Sequence, residues 1–127
     1  MKKILFTCMG GMSSSLIAAK FKDYLITKGF SVLFLTVASE NDIQQIKDSE
    51  ADYTIVYMPI MALNNQNRIK YGPIFDVVLI APQSGHMLSK IKADAIGIGH
   101  DPNVIRRIPG KVYGRIDVEQ IYEMTII

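Results

Sequence analysis

The residues of this chain best suited to chemistry stand together near its start: Cys8, then Gly10 and Gly11, then Ser13, Ser14 and Ser15. Cys8 is the only cysteine. It ends a short apolar stretch, Lys3-Ile4-Leu5-Phe6-Thr7, and the hydroxyls open a segment, Leu16-Ile17-Ala18-Ala19-Lys20-Phe21, that reads as a helix. A thiol at the tip of a strand, followed by glycines and the first turn of a helix, has the layout of an anion-binding loop. Backbone N–H groups lacking intrahelical partners point out of such a turn, and the positive end of the helix dipole favours a phosphoryl group. The same field draws a thiol toward its thiolate, from a pKa of about 8.5 toward roughly 3.5–7.5. The chemistry to expect is a cysteine that holds or attacks phosphorus. Inert packing is the commoner fate of a lone cysteine. The small, flexible and hydroxylated residues from Met9 to Ser15 are not those of a core strand, and they favour function.

Spacing separates the phosphate chemistries. A Walker loop needs Gly-Lys-Ser/Thr at its end, whereas Gly11 is followed by Met12. Dinucleotide binding needs three spaced glycines and a later acidic residue, which are missing. A cysteine phosphatase or arsenate reductase of the small tyrosine-phosphatase type places an arginine six positions after its cysteine, where it clamps phosphate with two parallel hydrogen bonds. Ser14 occupies that position. The loop is suited to holding a phosphoryl group briefly, not to hydrolysing it.

The elements that must position this loop follow from the apolar pattern. At 127 residues, 49% apolar and 20% charged, the chain has the makings of one folded domain, residues 1–127. A net charge of +2 with scattered lysines and arginines gives no case for nucleic acid. One cysteine fits a reducing compartment. The apolar N-terminus breaks at Thr7, too early for a secretory signal, and no run approaches the ~20 residues of a membrane span, so a cytoplasmic protein without membrane insertion is expected. Short runs at residues 3–7, 31–37, 76–81 and 95–99 lack polar alternation and read as strands of a parallel sheet covered on both faces. Between and after them, residues 13–28, 41–49, 84–92 and 117–125 read as helices, with Ile17, Phe21, Tyr24 and Leu25 on one face of the first and Gly29 as its stop. Residues 51–73 are harder to place; 53–58 make a fair fifth strand ended by Pro59, and 60–71 a further helix. The fold class is α/β, an open parallel sheet of four strands with this fifth candidate, flanked by helices. In such sheets ligands bind beyond the carboxyl ends of the strands, where Cys8 lies.

Cys8-Met9-Gly10-Gly11-Met12-Ser13-Ser14-Ser15-Leu16 resembles the active-site loop of the enzyme IIB components of the bacterial sugar phosphotransferase system. It is most similar to the lactose/cellobiose (diacetylchitobiose) family, whose loop runs Cys-Ser-Ala-Gly-Met-Ser-Thr-Ser-Leu. Residues Asp76-Val77-Val78-Leu79-Ile80-Ala81-Pro82-Gln83 look like the family's third strand and its Pro-Gln loop. Tyr113-Gly114-Arg115-Ile116-Asp117 resembles the Tyr-Gly-Lys-Val-Asp segment before its last helix. The resemblance covers most of the chain in order. It implies a four-stranded parallel sheet similar to the small tyrosine-phosphatase fold. It also implies a phosphoryl group accepted from a histidine of enzyme IIA onto Cys8, then passed to a sugar such as cellobiose or lactose entering through enzyme IIC. The backbone amides of Met9, Gly10, Gly11, Met12, Ser13, Ser14 and Ser15, with the Ser13 and Ser15 hydroxyls, would receive the phosphoryl oxygens. Pro82, Gln83 and His86, which stands where the family commonly has Tyr, would flank the site. No cofactor and no metal is implied. The stretch 51–73 is longer than the family's usual link.

Rival readings remain for particular residues. Gln83 either bonds to the phosphate or caps the following helix. His86 either donates a proton near the cysteine or is an idle surface residue. His100-Asp101 has no third ligand at helpful spacing and reads as a turn before Pro102, and Arg106-Arg107 reads as solvated loop. Met9 and Met12 flank the cysteine as candidates for a docking face. The non-enzymatic alternative is a phosphate-sensing module that keeps the fold without the relay.

Overall fold

The computed structural model describes residues 1–8, 12–36, 40–59 and 72–126, with the side chains of residues 12–14, 40 and 72 outside that description. Five strands, β1 (Lys2–Cys8), β2 (Val32–Thr36), β3 (Tyr53–Pro59), β4 (Val77–Ile80) and β5 (Ile105–Arg107), form one sheet in the order β2-β3-β1-β4-β5. Every pairing is parallel. The fifth-strand candidate at 53–58 is thus real, and Pro59 ends it. The helix expected at 60–71 lies outside the described residues.

β1 is central because its residues tolerate dry surroundings on both sides. Ile4 and Phe6 pack on one face with Ile55, Val77 and Leu79, beneath Ile17, Ala18, Phe21 and Leu25 of α1 (Met12–Thr27) and Ile121 of α5 (Val118–Thr125). Leu5 packs on the other with Val56, Val78 and Ile80, against Ile43 and Ile46 of α2 (Glu40–Asp48) and Ile91 and Ala95 of α3 (Leu88–Gly97). A fifth helix, α4 (Gly110–Gly114), is short and precedes α5. α1 ends where Gly29 adopts φ +95°. The Gly29 N–H donates to Ile26 O at 2.9 Å and the Phe30 N–H to Leu25 O at 3.1 Å, which satisfies carbonyls the helix would leave bare.

The strand expected at 95–99 is not one. Ala95, Ile96 and Gly97 are the last turn of α3, and Ile96 is 64% exposed. Leu88, Ile91 and Ala95 recur at helical spacing, and a short apolar run does not by itself reveal which period it belongs to. Gly99 at φ +77° closes the helix as Gly29 closes α1, with His100 N–H donating to Ala95 O at 2.9 Å. The helix expected at 84–92 begins later, at Leu88, after a 3₁₀ turn over Pro82–Met87. The last strand is instead Ile105–Arg107, where two arginines hid a three-residue edge strand of the kind charges commonly guard. Arg106 is not solvated loop: it lies on β5 and its guanidinium donates to Met124 O at 3.0 Å, fastening α5 to the sheet. Asp101 is structural as expected, accepting from Asn103 N–H at 2.9 Å, and His100 Nε2 lies 3.2 Å from Phe75 O.

Two outcomes follow. Phe21 is fully buried against the Phe6 ring at 5.7 Å between centroids. Phe21→Ala is therefore expected to lower unfolding free energy by about 3–5 kcal/mol in urea titrations. Tyr53, at the start of β3, is pushed up to about 12 from 10.0 by burial and then by its hydrogen bond with Tyr122. The fold holds the neutral phenol, so this contribution is complete below pH 10 and is lost as pH rises toward 12. Alkaline unfolding curves should show Tyr53→Phe flatter than the wild type in that window.

Candidate functional site

The site is built where the chain changes direction. From β1 the chain passes through α1 to β2 on one side of the sheet, whereas from β4 it passes through α3 to β5 on the other. β1 and β4 are neighbours, so the connections leaving their carboxyl ends diverge, and a crevice opens between them. Cys8 is the last residue of β1 and Pro82 begins the turn that follows β4. The Ala81 N–H donates to Thr7 O at 2.9 Å, which carries the ladder to the foot of that turn and fixes Pro82 beside the cysteine strand.

Cys8 is 4% exposed. Met9, Gly10 and Gly11 lie outside the described residues; Met12, Ser13 and Ser14 belong to the first turn of α1, and Ser15 is half-buried on the same helix. The 3₁₀ turn opens with Ala81 at φ −58° and ψ 147°, an extended residue before a proline, as the proline ring requires. Pro82 is half-buried, and Gln83 and His86 are exposed on the turn. Neither the turn nor α3 carries a side-chain cap, so Gln83 does not serve as the helix cap that was its rival role. The fold thus brings Cys8, Ser15 and the Pro82–Met87 turn to one edge of the sheet. Among the described residues no cluster of three or more histidines, cysteines or carboxylates could hold a metal, and no helix is long and apolar enough to cross a membrane.

Two residues at this edge escaped the sequence reading. Ser84 is fully buried and Thr7 is 1% exposed, and neither hydroxyl has a hydrogen-bond partner among the described residues. A buried hydroxyl left without a partner costs stability, and native structures rarely leave one so without reason. The only signal available in sequence was a serine inside the Pro-Gln loop, indistinguishable from a turn former.

No protein-family model matches the chain, and no curated protein sequence does. Solved structures do. The lactose-specific IIB component domain of the phosphoenolpyruvate:carbohydrate phosphotransferase system from Streptococcus pneumoniae superposes with a TM-score of 0.64 at 15% identity, covering 99% of this chain and 98% of that one. A de novo designed protein with a P-loop NTPase fold superposes with a TM-score of 0.53 at 15% identity, covering 97% and 92%. The fold is therefore that of a IIB domain over its full length.

Because neither hydroxyl is bonded within the described fold, Thr7→Val and Ser84→Ala should leave thermal stability unchanged or raise it by about 1–2 kcal/mol. A loss of that size in calorimetry would show that the hydroxyls serve the fold itself.

Proposed function

We propose that this protein is the cysteine phosphocarrier of a bacterial sugar phosphotransferase system, a IIB component that relays a phosphoryl group between an enzyme IIA histidine and a sugar entering through the membrane component, enzyme IIC. The observation that carries the reading is the placement of Cys8. It ends the central strand at the crevice where connections diverge, beside the Pro82 turn, in a chain whose fold matches a lactose-specific IIB domain end to end.

In the first transfer the Cys8 thiolate attacks phosphorus. The S–P bond forms as the P–N bond to the donor histidine breaks, and the electron pair and a proton remain on that histidine. In the second, a sugar hydroxyl oxygen attacks, the O–P bond forms, and the S–P bond breaks with its pair returned to Cys8 while the hydroxyl proton is released. Splitting one difficult transfer into two is the use of a covalent nucleophile. The amides from Met9 to Ser15 and the hydroxyls of Ser13 and Ser15 are assigned to the phosphoryl oxygens, with Pro82, Gln83 and His86 at the rim. With Ser14 where hydrolytic relatives carry arginine, the phosphocysteine waits for an acceptor instead of being handed to water. The substrate class this reading favours is a β-linked disaccharide such as cellobiose or lactose, and the protein would work in the cytoplasm against enzyme IIC.

Intact-mass analysis after incubation with phosphoenolpyruvate, the general phosphotransferase proteins and a panel of IIA proteins tests this. One thiol-linked phosphoryl group is expected on the wild type and none on Cys8→Ser. No gain with any donor would leave a phosphate-sensing module on the same fold, and turnover of p-nitrophenyl phosphate would restore the phosphatase reading.

A further inference from the structure

The cysteine loop lacks an arginine, but the carboxyl edge of the sheet does not. Thr7, Ile80 and Arg107 lie in one row across β1, β4 and β5. Residues in register on parallel strands project to the same face, and Arg107 stands two strands, about 10 Å, from Thr7. Its side chain turns over the Pro82–Met87 turn. A Cβ placed on Gly85 would stand 2.5 Å from Arg107 Nε and 2.7 Å from Cδ. Only glycine leaves room for the guanidinium to lie against the backbone of the turn that borders the crevice.

The neighbouring arginine sharpens the contrast. Arg106 spends its donors on Asn103 O and Met124 O. Arg107 is exposed and makes no hydrogen bond or ion pair among the described residues, so its donors are held in place by packing and remain uncommitted. Directly before Gly85 comes Ser84, whose buried hydroxyl is unpartnered, and the Thr7 hydroxyl lies in the same row. A guanidinium lying on a glycine, with two unpartnered buried hydroxyls at the same sheet edge, is a donor set that wants an oxyanion.

We propose that Arg107 is the phosphoryl-binding arginine of this site, supplied from β5 across Gly85 instead of from within the cysteine loop. The assignment rests on the phosphocarrier reading for the identity of the anion. Two N–H groups of the guanidinium donate to phosphoryl oxygens, with the Ser84 hydroxyl as a neutral donor beside them. An exposed cation on a flexible stem holds the group less deeply than a clamp built into the loop, which suits a group that must move on.

The test needs no donor protein. Inorganic phosphate is titrated into the full chain while the amide resonances of Cys8, Ser84 and Gly85 are followed by NMR. The wild type should show saturable shifts at these three. Arg107→Ala should weaken phosphate about tenfold or more. Arg107→Lys should fall between, because an ammonium cannot make two parallel bonds. Gly85→Ala keeps every charge but displaces the guanidinium, and should approach Arg107→Ala. Lys47→Ala, one charge removed near the end of α2 and outside the site, should match the wild type. Equal affinity of wild type and Arg107→Ala, or no binding by the wild type, overturns the assignment, as does wild-type phosphocysteine formation in Arg107→Ala. Arg107-dependent phosphate binding without phosphocysteine from any donor would retain the assignment and overturn the carrier reading.

Discussion

The structure depends on the burial of β1 from both sides. A strand at the centre of a parallel sheet has no wet face, so Ile4, Leu5 and Phe6 are apolar without alternation and each face is closed by its own pair of helices. Successive side chains lock into opposite cores, and a slip by one residue would exchange the two sets. The carboxyl end of β1 is accordingly the most firmly positioned point at its edge of the sheet. A cysteine placed there is held by the whole fold.

Position alone does not create a site; direction does. Connections from β1 and β4 leave over opposite faces, so the adjoining strand ends are uncovered together. The Pro82 turn stays low because proline restricts Ala81 to an extended conformation and the Ala81 amide is tied to β1. Beyond it Gly85 lets Arg107 of the edge strand reach across β4. Three strands thus contribute to one crevice through a thiol, a hydroxyl-bearing turn and a guanidinium. The likeness to the lactose-specific IIB domain, at 15% identity, is a likeness of this architecture; the relay chemistry rests on the residues placed within it.

Much of this was legible in the chain. The strands at 3–7, 31–37, 53–58 and 76–81 announced themselves because doubly covered strands are continuous apolar runs, and α1 because Ile17, Phe21 and Leu25 mark a single stripe before Gly29. The misreading at 95–99 has a definite cause: Ala95-Ile96-Gly97-Ile98-Gly99 is as apolar as a strand, and only packing shows Ile96 in water and Gly99 in the left-handed conformation. Ile105–Arg107 failed in the opposite sense, since an edge strand needs few apolar residues and carries its charges outward.

By itself the sequence determined the reactive group and its local frame: one cysteine, after an apolar strand and before glycines, serines and a helix. Local chemistry is written locally, because neighbours in a turn are neighbours in the chain. Which distant groups face that cysteine was decided only by the tertiary structure. Ser84 and Arg107 lie 76 and 99 positions from Cys8 in the numbering, and nothing in either segment distinguishes a turn serine or an edge arginine from a solvated one. Strand order and register bring them to the same edge, and those are set by the sum of burial over both faces of the sheet, a quantity no single segment contains.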